Sequence, residues 1–192
     1  MPIHYEKPLS SEEEKQILEQ FFQEVRTLLE PYTSERKIIF SNSQLFAILM
    51  IAPITMAMAT DDSLDFAETN ILIEIASFFE RNELSPLFNQ FSQPEKVLSD
   101  SEFKKIIYNE MQYMCLSMRQ YEPIFIKALK KLLAVDKHLS QMQNIEGSIA
   151  KRILENLSGV IYNNTGDDKI EEAKVRRIIQ ELDLGSYLNI RI

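Results

Sequence analysis

Residues 45–59 carry no charge, and apart from Pro53 and Thr55 they consist of Ala, Ile, Leu, Met and Phe. A helix that is apolar on every side is stable in water only when other elements cover every side. The fold must therefore place this segment at its centre. At fifteen residues the run falls short of the roughly twenty that a membrane-spanning helix needs, so it is read as a buried central helix with no membrane insertion. Pro53 lacks an amide donor and its ring clashes with the carbonyl of Leu49, which predicts a kink or a restart there.

What surrounds this helix is predicted to be helical too. Only four glycines and seven prolines punctuate a chain that is 45% hydrophobic, and strands joined by frequent turns need more turn chemistry than that. Ser11-Glu12-Glu13-Glu14 has the form of a capping box, and Ile17, Leu18, Phe21, Phe22, Val25, Leu28 and Leu29 follow at helical spacing until Pro31, where the helix should end. Beyond the central run, a helix is expected over 65–81, with a short piece starting at Ser85-Pro86 and a break around Pro94 and Ser99-Asp100-Ser101. One helix should then hold Phe103, Ile106, Ile107, Met111, Met114, Cys115 and Met118. Another, opened by Pro123, should hold Ile124, Phe125, Leu129, Leu132 and Leu133. After a break over 141–148, Ile149, Ile153, Leu154, Leu157, Val160 and Ile161 mark a further helix, and a last one spans 169–182. The expected fold is a single-domain all-α bundle over residues 1–192, with seven or eight helices and no strand.

An acidic turn appears twice, 106 residues apart. The first copy reads Thr60-Asp61-Asp62-Ser63-Leu64-Asp65-Phe66-Ala67, and the second reads Gly166-Asp167-Asp168-Lys169-Ile170-Glu171-Glu172-Ala173. Leu72, Ile73 and Ala76 fall opposite Ile178, Ile179 and Leu182 at the same offset, so the halves read as a pseudo-repeat. Asp61, Asp62, Asp65 and Glu68 could converge on a hard divalent cation such as calcium or magnesium, with carbonyls and water completing the shell. An EF-hand is excluded, because the twelfth position from Asp61 is Leu72 and the central glycine is missing. The competing reading is N-capping: Asp62 with Asp65, and Asp168 with Glu171, have the spacing that satisfies free amides at a helix start. Capping leaves Asp61 and Asp167 unexplained.

The stretch Met56-Ala57-Met58-Ala59-Thr60-Asp61-Asp62-Ser63-Leu64 with Glu68, and Asn164-Thr165-Gly166-Asp167-Asp168-Lys169-Ile170 with Lys174, resembles the paired helix starts of the TerB-like family associated with tellurite resistance. That family writes each start as Asp-Gly-x-hydrophobic-x-x-x-Glu behind an apolar, alanine-rich helix. The resemblance implies a helical bundle with acidic, metal-binding loops and a role in stress response. Its acidic positions carry over to Asp61, Glu68 and Asp167. Asp62 and Asp168 stand where the family has glycine, and Lys174 stands where it has the second glutamate.

Charge and the remaining residues narrow the function classes. A formal net charge of −8 disfavours nucleic acid as a partner. One cysteine, Cys115, excludes an internal disulfide and a multi-cysteine zinc site. Residues 1–15 are rich in charge and lack a secretory pattern, so a cytoplasmic location is expected. Neither His4 nor His138 follows a Glu by three residues, which excludes a di-iron bundle site. Met111, Met114, Cys115 and Met118 share one helical side and read as core rather than as copper(I) ligands. Lys127, Lys130, Lys131, Lys137 and His138 form a basic stripe, by default a solvated face and otherwise a receiver of an acidic partner or a phosphate. The expected function is a non-enzymatic, TerB-like, cation-binding module. The alternatives are a structural or interaction protein that binds another protein or itself, and a metal-assisted hydrolase.

Overall fold

The computed structural model describes residues 11–58, 66, 69–70, 100–143, 148–163 and 169–187. Among these the chain forms five α-helices and no strand: α1 (Ser11–Arg36), α2 (Asn42–Met58), α3 (Asp100–Gln143), α4 (Ser148–Asn163) and α5 (Lys169–Glu181), followed by a 3-10 turn (Leu184–Tyr187). The all-α class holds, with five helices among the described residues in place of seven or eight. The helix expected over 65–81 lies outside the described residues except at Phe66, Thr69 and Asn70, all three helical. The piece at Ser85-Pro86 and the break at Pro94 lie outside them entirely.

The apolar run does sit at the centre. Every residue from 45 to 58 is buried, including Pro53 and Thr55. The Thr55 hydroxyl, the one polar side chain in that run, donates to the carbonyl of Ala52 at 2.9 Å, which removes the cost of an unpaired buried donor. α2 continues through Pro53 to Met58 without restarting. Among the described residues α3 makes the most extensive contact with α2, α4 and α5 pack on it as well, and α1 packs along α3.

α2 begins at a reciprocal capping box that the sequence reading overlooked. The Gln44 amide donates to Ser41 Oγ at 3.3 Å, and the Ser41 amide donates to Gln44 Oε1 at 2.9 Å. Arg26 of α1 fixes the approach to this cap, donating to the Phe40 carbonyl and to Asn42 Oδ1, both at 2.6 Å.

Two expected helix boundaries are corrected. α1 passes Pro31 and ends at Arg36, and Pro123 lies inside the 44-residue α3 rather than opening a new helix. An interior proline removes one intrahelical hydrogen bond and costs about 3 kcal/mol. Both prolines are exposed, on the solvent side of their helices, where a freed carbonyl costs least. Beyond Pro31 the side chain of Tyr32 is fully buried, with its ring edge-on to Tyr121 and Phe125. Packing of that ring offsets the loss at Pro31. α1 then closes in a Schellman motif, with Ile38 donating to the Thr33 carbonyl and Lys37 to that of Ser34. Lys37 takes the left-handed position at φ 53° that glycine ordinarily fills, and Asp183 does the same after α5.

α4 and α5 agree closely with the expected spans, and Ile149, Ile153, Leu154, Leu157, Val160, Val175 and Ile178 line their inner sides. Because Ile51 is completely buried at the centre, Ile51→Asp places an unpaired charge where no water reaches it. The variant is expected to lose several kcal/mol and fail to fold, and circular dichroism of the purified protein checks this.

Candidate functional site

Asp61, Asp62, Asp65, Glu68 and Asp167 all lie outside the described residues. Their described neighbours are α2, which ends at Met58 just before the first acidic turn, and α5, which begins at Lys169 directly after Asp168. Phe66 is helical and 83% exposed. Among the described residues no group of three or more His, Cys, Asp or Glu side chains is placed to hold a metal ion. No described helix is long and apolar enough to cross a membrane.

The polar chemistry that the structure brings together lies between α1 and α3. Glu110 is buried, and its carboxylate is saturated by α1: Oε2 accepts from the Tyr32 hydroxyl at 2.8 Å and from Arg36 Nε at 3.3 Å, while Oε1 accepts from Arg36 Nη2 at 2.7 Å. The Arg36 guanidinium also lies over the Tyr113 ring, 4.1 Å from its centroid, a stacked arrangement that favours the cation. Burial, then the neighbouring Glu110 carboxylate, pushes the Tyr32 hydroxyl far above its ordinary pKa, so it remains a donor. The hydrogen bonds that Arg36 itself donates to the Glu110 carboxylate raise the pKa of the guanidinium.

Beside Arg36 on the same turn, Glu35 gathers a second set of donors. Its carboxylate accepts from the Tyr113 hydroxyl at 2.9 Å, from Gln120 Nε2 at 3.1 Å, and from the Tyr121 hydroxyl. The Tyr121 bond, followed by that of Tyr113, holds Glu35 below the usual carboxylate range. Burial, reinforced by that same bond, pushes Tyr121 up to about 12. A carboxylate whose lone pairs are taken by fixed donors is no free base, and a tyrosine held in its protonated form is no nucleophile. The cluster therefore acts as a tie that sets how α1 lies on α3.

Asp136 is a third buried acid. Its Oδ2 accepts from the Ile149 amide at 3.3 Å in the first turn of α4, so α3 supplies the acceptor that this helix start needs. Burial raises the Asp136 pKa and the Ile149 amide offsets part of that rise. Glu122 of α3 pairs with Arg177 of α5, tying the last helix to the long one.

The sequence reading missed Glu110 and Asp136, yet a signal was present. Glu110 stands three residues after Ile107 and four before Met114, and Asp136 stands three after Leu133 and three before Leu139, so each acid falls within an apolar stripe. An acid there needs a partner from another element. The sulfur-bearing residues Met111, Met114, Cys115 and Met118 are buried among the apolar side chains of the core.

Compared with protein-family models, with curated proteins and with solved structures, the chain matches none of them.

Two outcomes follow from these buried acids. Glu110→Gln removes the charge that pairs with Arg36 and leaves the pair imperfectly satisfied, so chemical denaturation should show a loss of about 2 kcal/mol. For Asp136 the folded pKa lies above the unfolded value of about 3.9, so its contribution is fully present below that value and is lost as pH rises through the folded pKa. Asp136→Asn keeps an acceptor for Ile149 without the buried charge. Its melting temperature should exceed that of the parent at pH 7, and the difference should vanish near pH 3.

Proposed function

We propose that this chain is a non-enzymatic helical binding module of the TerB-like kind, which takes a divalent cation such as calcium or magnesium at the acidic turn of Asp61, Asp62, Asp65 and Glu68. The reading is carried by the crowding of these four carboxylates into eight residues, shortly after the most buried of the described helices. Like charges at such short separation repel one another. Capping by Asp62 with Asp65 would account for two of them and leaves Asp61 unexplained, as it leaves Asp167 in the second copy. Hard cations take carboxylate, carbonyl and water oxygens, which suits such a segment. Asp167 belongs to the second, weaker copy, where Lys174 replaces the matching glutamate. In this reading the protein's role is a stress response of the kind associated with that family.

A second reading is favoured by a separate observation. Ile39, three residues before α2, is 94% exposed, and Phe66, eight residues beyond its last residue, is 83% exposed. Large apolar side chains so open to water suit an interaction module that binds another protein, or itself, without a metal.

Thermal unfolding separates the two. An ion at roughly 100 times its dissociation constant stabilises the state that binds it by about 2.7 kcal/mol. Millimolar calcium, or magnesium in its place, should therefore raise the melting temperature over a chelator-treated sample at constant ionic strength. Asp61→Asn with Glu68→Gln should abolish the rise, and Asp167→Asn should reduce it less. No shift with either ion removes the cation and leaves the interaction module.

A further inference from the structure

The outer side of α3 breaks a pattern that the other helices keep. On α1, α4 and α5 basic side chains are met by an acid one turn away: Lys15 by Glu19, Arg152 by Glu155, Arg176 by Glu172 and Arg177 by Glu181. Such pairs each stabilise a helix by a few tenths of a kcal/mol. On α3, Lys127, Lys130, Lys131, Lys137 and His138 are all exposed, and none has an acid three or four residues away in either direction. Lys127 instead faces Lys130 and Lys131 at those spacings, an arrangement that disfavours the isolated helix.

The acids nearby on this helix are engaged elsewhere. Glu122 is turned to Arg177 of α5, and Asp136 is buried against the start of α4. Only Lys131 has an ion-pair partner among the described residues, Glu24 of α1 at 2.5 Å. In a protein of net charge −8, α3 thus carries a row of exposed lysines about 15 Å long on one side, of which only Lys131 is paired.

We propose that this side of α3 is a docking surface for an acidic segment of a partner protein, a single chain bearing a row of Glu or Asp. Charge complementarity argues for the sign of the partner, and the width of the strip argues for its form. α1 runs antiparallel beside α3, as the Glu24 to Lys131 and Arg36 to Glu110 pairs require, and it exposes Glu12, Glu13 and Glu19. A broad polyanion such as a nucleic-acid duplex or an anionic membrane would meet those acids as well as the lysines. A narrow acidic chain meets the lysines alone. The surface does not depend on the cation site and stands whether or not that site binds.

The test uses the full chain and a fluorescein-labelled peptide of alternating glutamate and alanine, read by anisotropy. Saturable binding at low ionic strength, weakening steeply as salt is added, is expected. The combined variant Lys127→Glu, Lys130→Glu, Lys137→Glu should weaken it at least about tenfold with the melting transition unchanged. If reversal of three charges disturbs folding, the combined Lys127→Gln, Lys130→Gln, Lys137→Gln variant serves in its place. Arg176→Glu, at a base already paired on α5, should leave binding intact. The proposal is overturned if the peptide does not bind, or if the α5 variant loses as much as the α3 variant. Tighter binding to an oligonucleotide or to phosphatidylserine vesicles, lost in the same α3 variant, would also overturn it.

Discussion

A helix with no polar side cannot remain in contact with water, and the arrangement of this protein follows from the need to cover α2 completely. Three helices, α3, α4 and α5, pack directly on it, and every side chain from 45 to 58 is removed from solvent. A sheathing helix has to be long to run past such a core, and α3, at about 66 Å for its 44 residues, reaches far enough also to carry α1 on another side. The ends of α2 carry its polar obligations. At the start, Ser41 and Gln44 satisfy each other's amides, and in the buried run 45–58 the one hydroxyl, that of Thr55, donates to the backbone.

Apolar contact alone would let α1 slide or turn on α3, because a stripe of Leu, Ile and Phe side chains fits several registers almost equally well. The Tyr32, Arg36 and Glu110 cluster distinguishes among them. A buried carboxylate left without its donors costs far more than a repacked methyl group, so registers that separate Glu110 from Arg36 are disfavoured. The tie also accounts for the last turn of α1. Pro31 weakens the helix locally, but Tyr32 and Arg36 lie beyond it, and their contacts with α3 require the chain to continue as a helix to reach them. Glu35, on the same turn, draws in Tyr113, Gln120 and Tyr121 and widens the fastening.

The charges divide along lines that the helices set. Acids that fall on inner sides are consumed in holding helices together, while the bases of α3 fall outward. The proposed cation site and the proposed docking strip therefore draw on different physics. A cation at Asp61 and Glu68 would relieve repulsion among carboxylates close in sequence, whereas an acidic partner on α3 would relieve repulsion among lysines that successive turns of one helix bring together. Neither needs an apolar cavity, and the two are separable by which side chains are changed.

Period and composition alone sufficed for the all-α class, the central position of residues 45–58, and the inner sides of α1, α3 and α4, because burial of apolar surface acts on a repeat that can be read residue by residue. The acidic turns were visible only as residue types, and Asp61, Asp62, Asp65, Glu68 and Asp167 stay at that level, outside the described residues. Helix ends were less legible. The usual marks of termination are proline and glycine, yet Pro31 and Pro123 sit inside helices, and the left-handed closing positions belong to Lys37 and Asp183. Local rules weigh the backbone of one segment. The few kcal/mol that a proline or a non-glycine cap costs are offset by contacts from another helix, which no local signal contains. The partners of Glu110 and Asp136 were decided in the same way, at separations of 74 and 13 residues along the chain, by which surfaces the covering of α2 brought face to face.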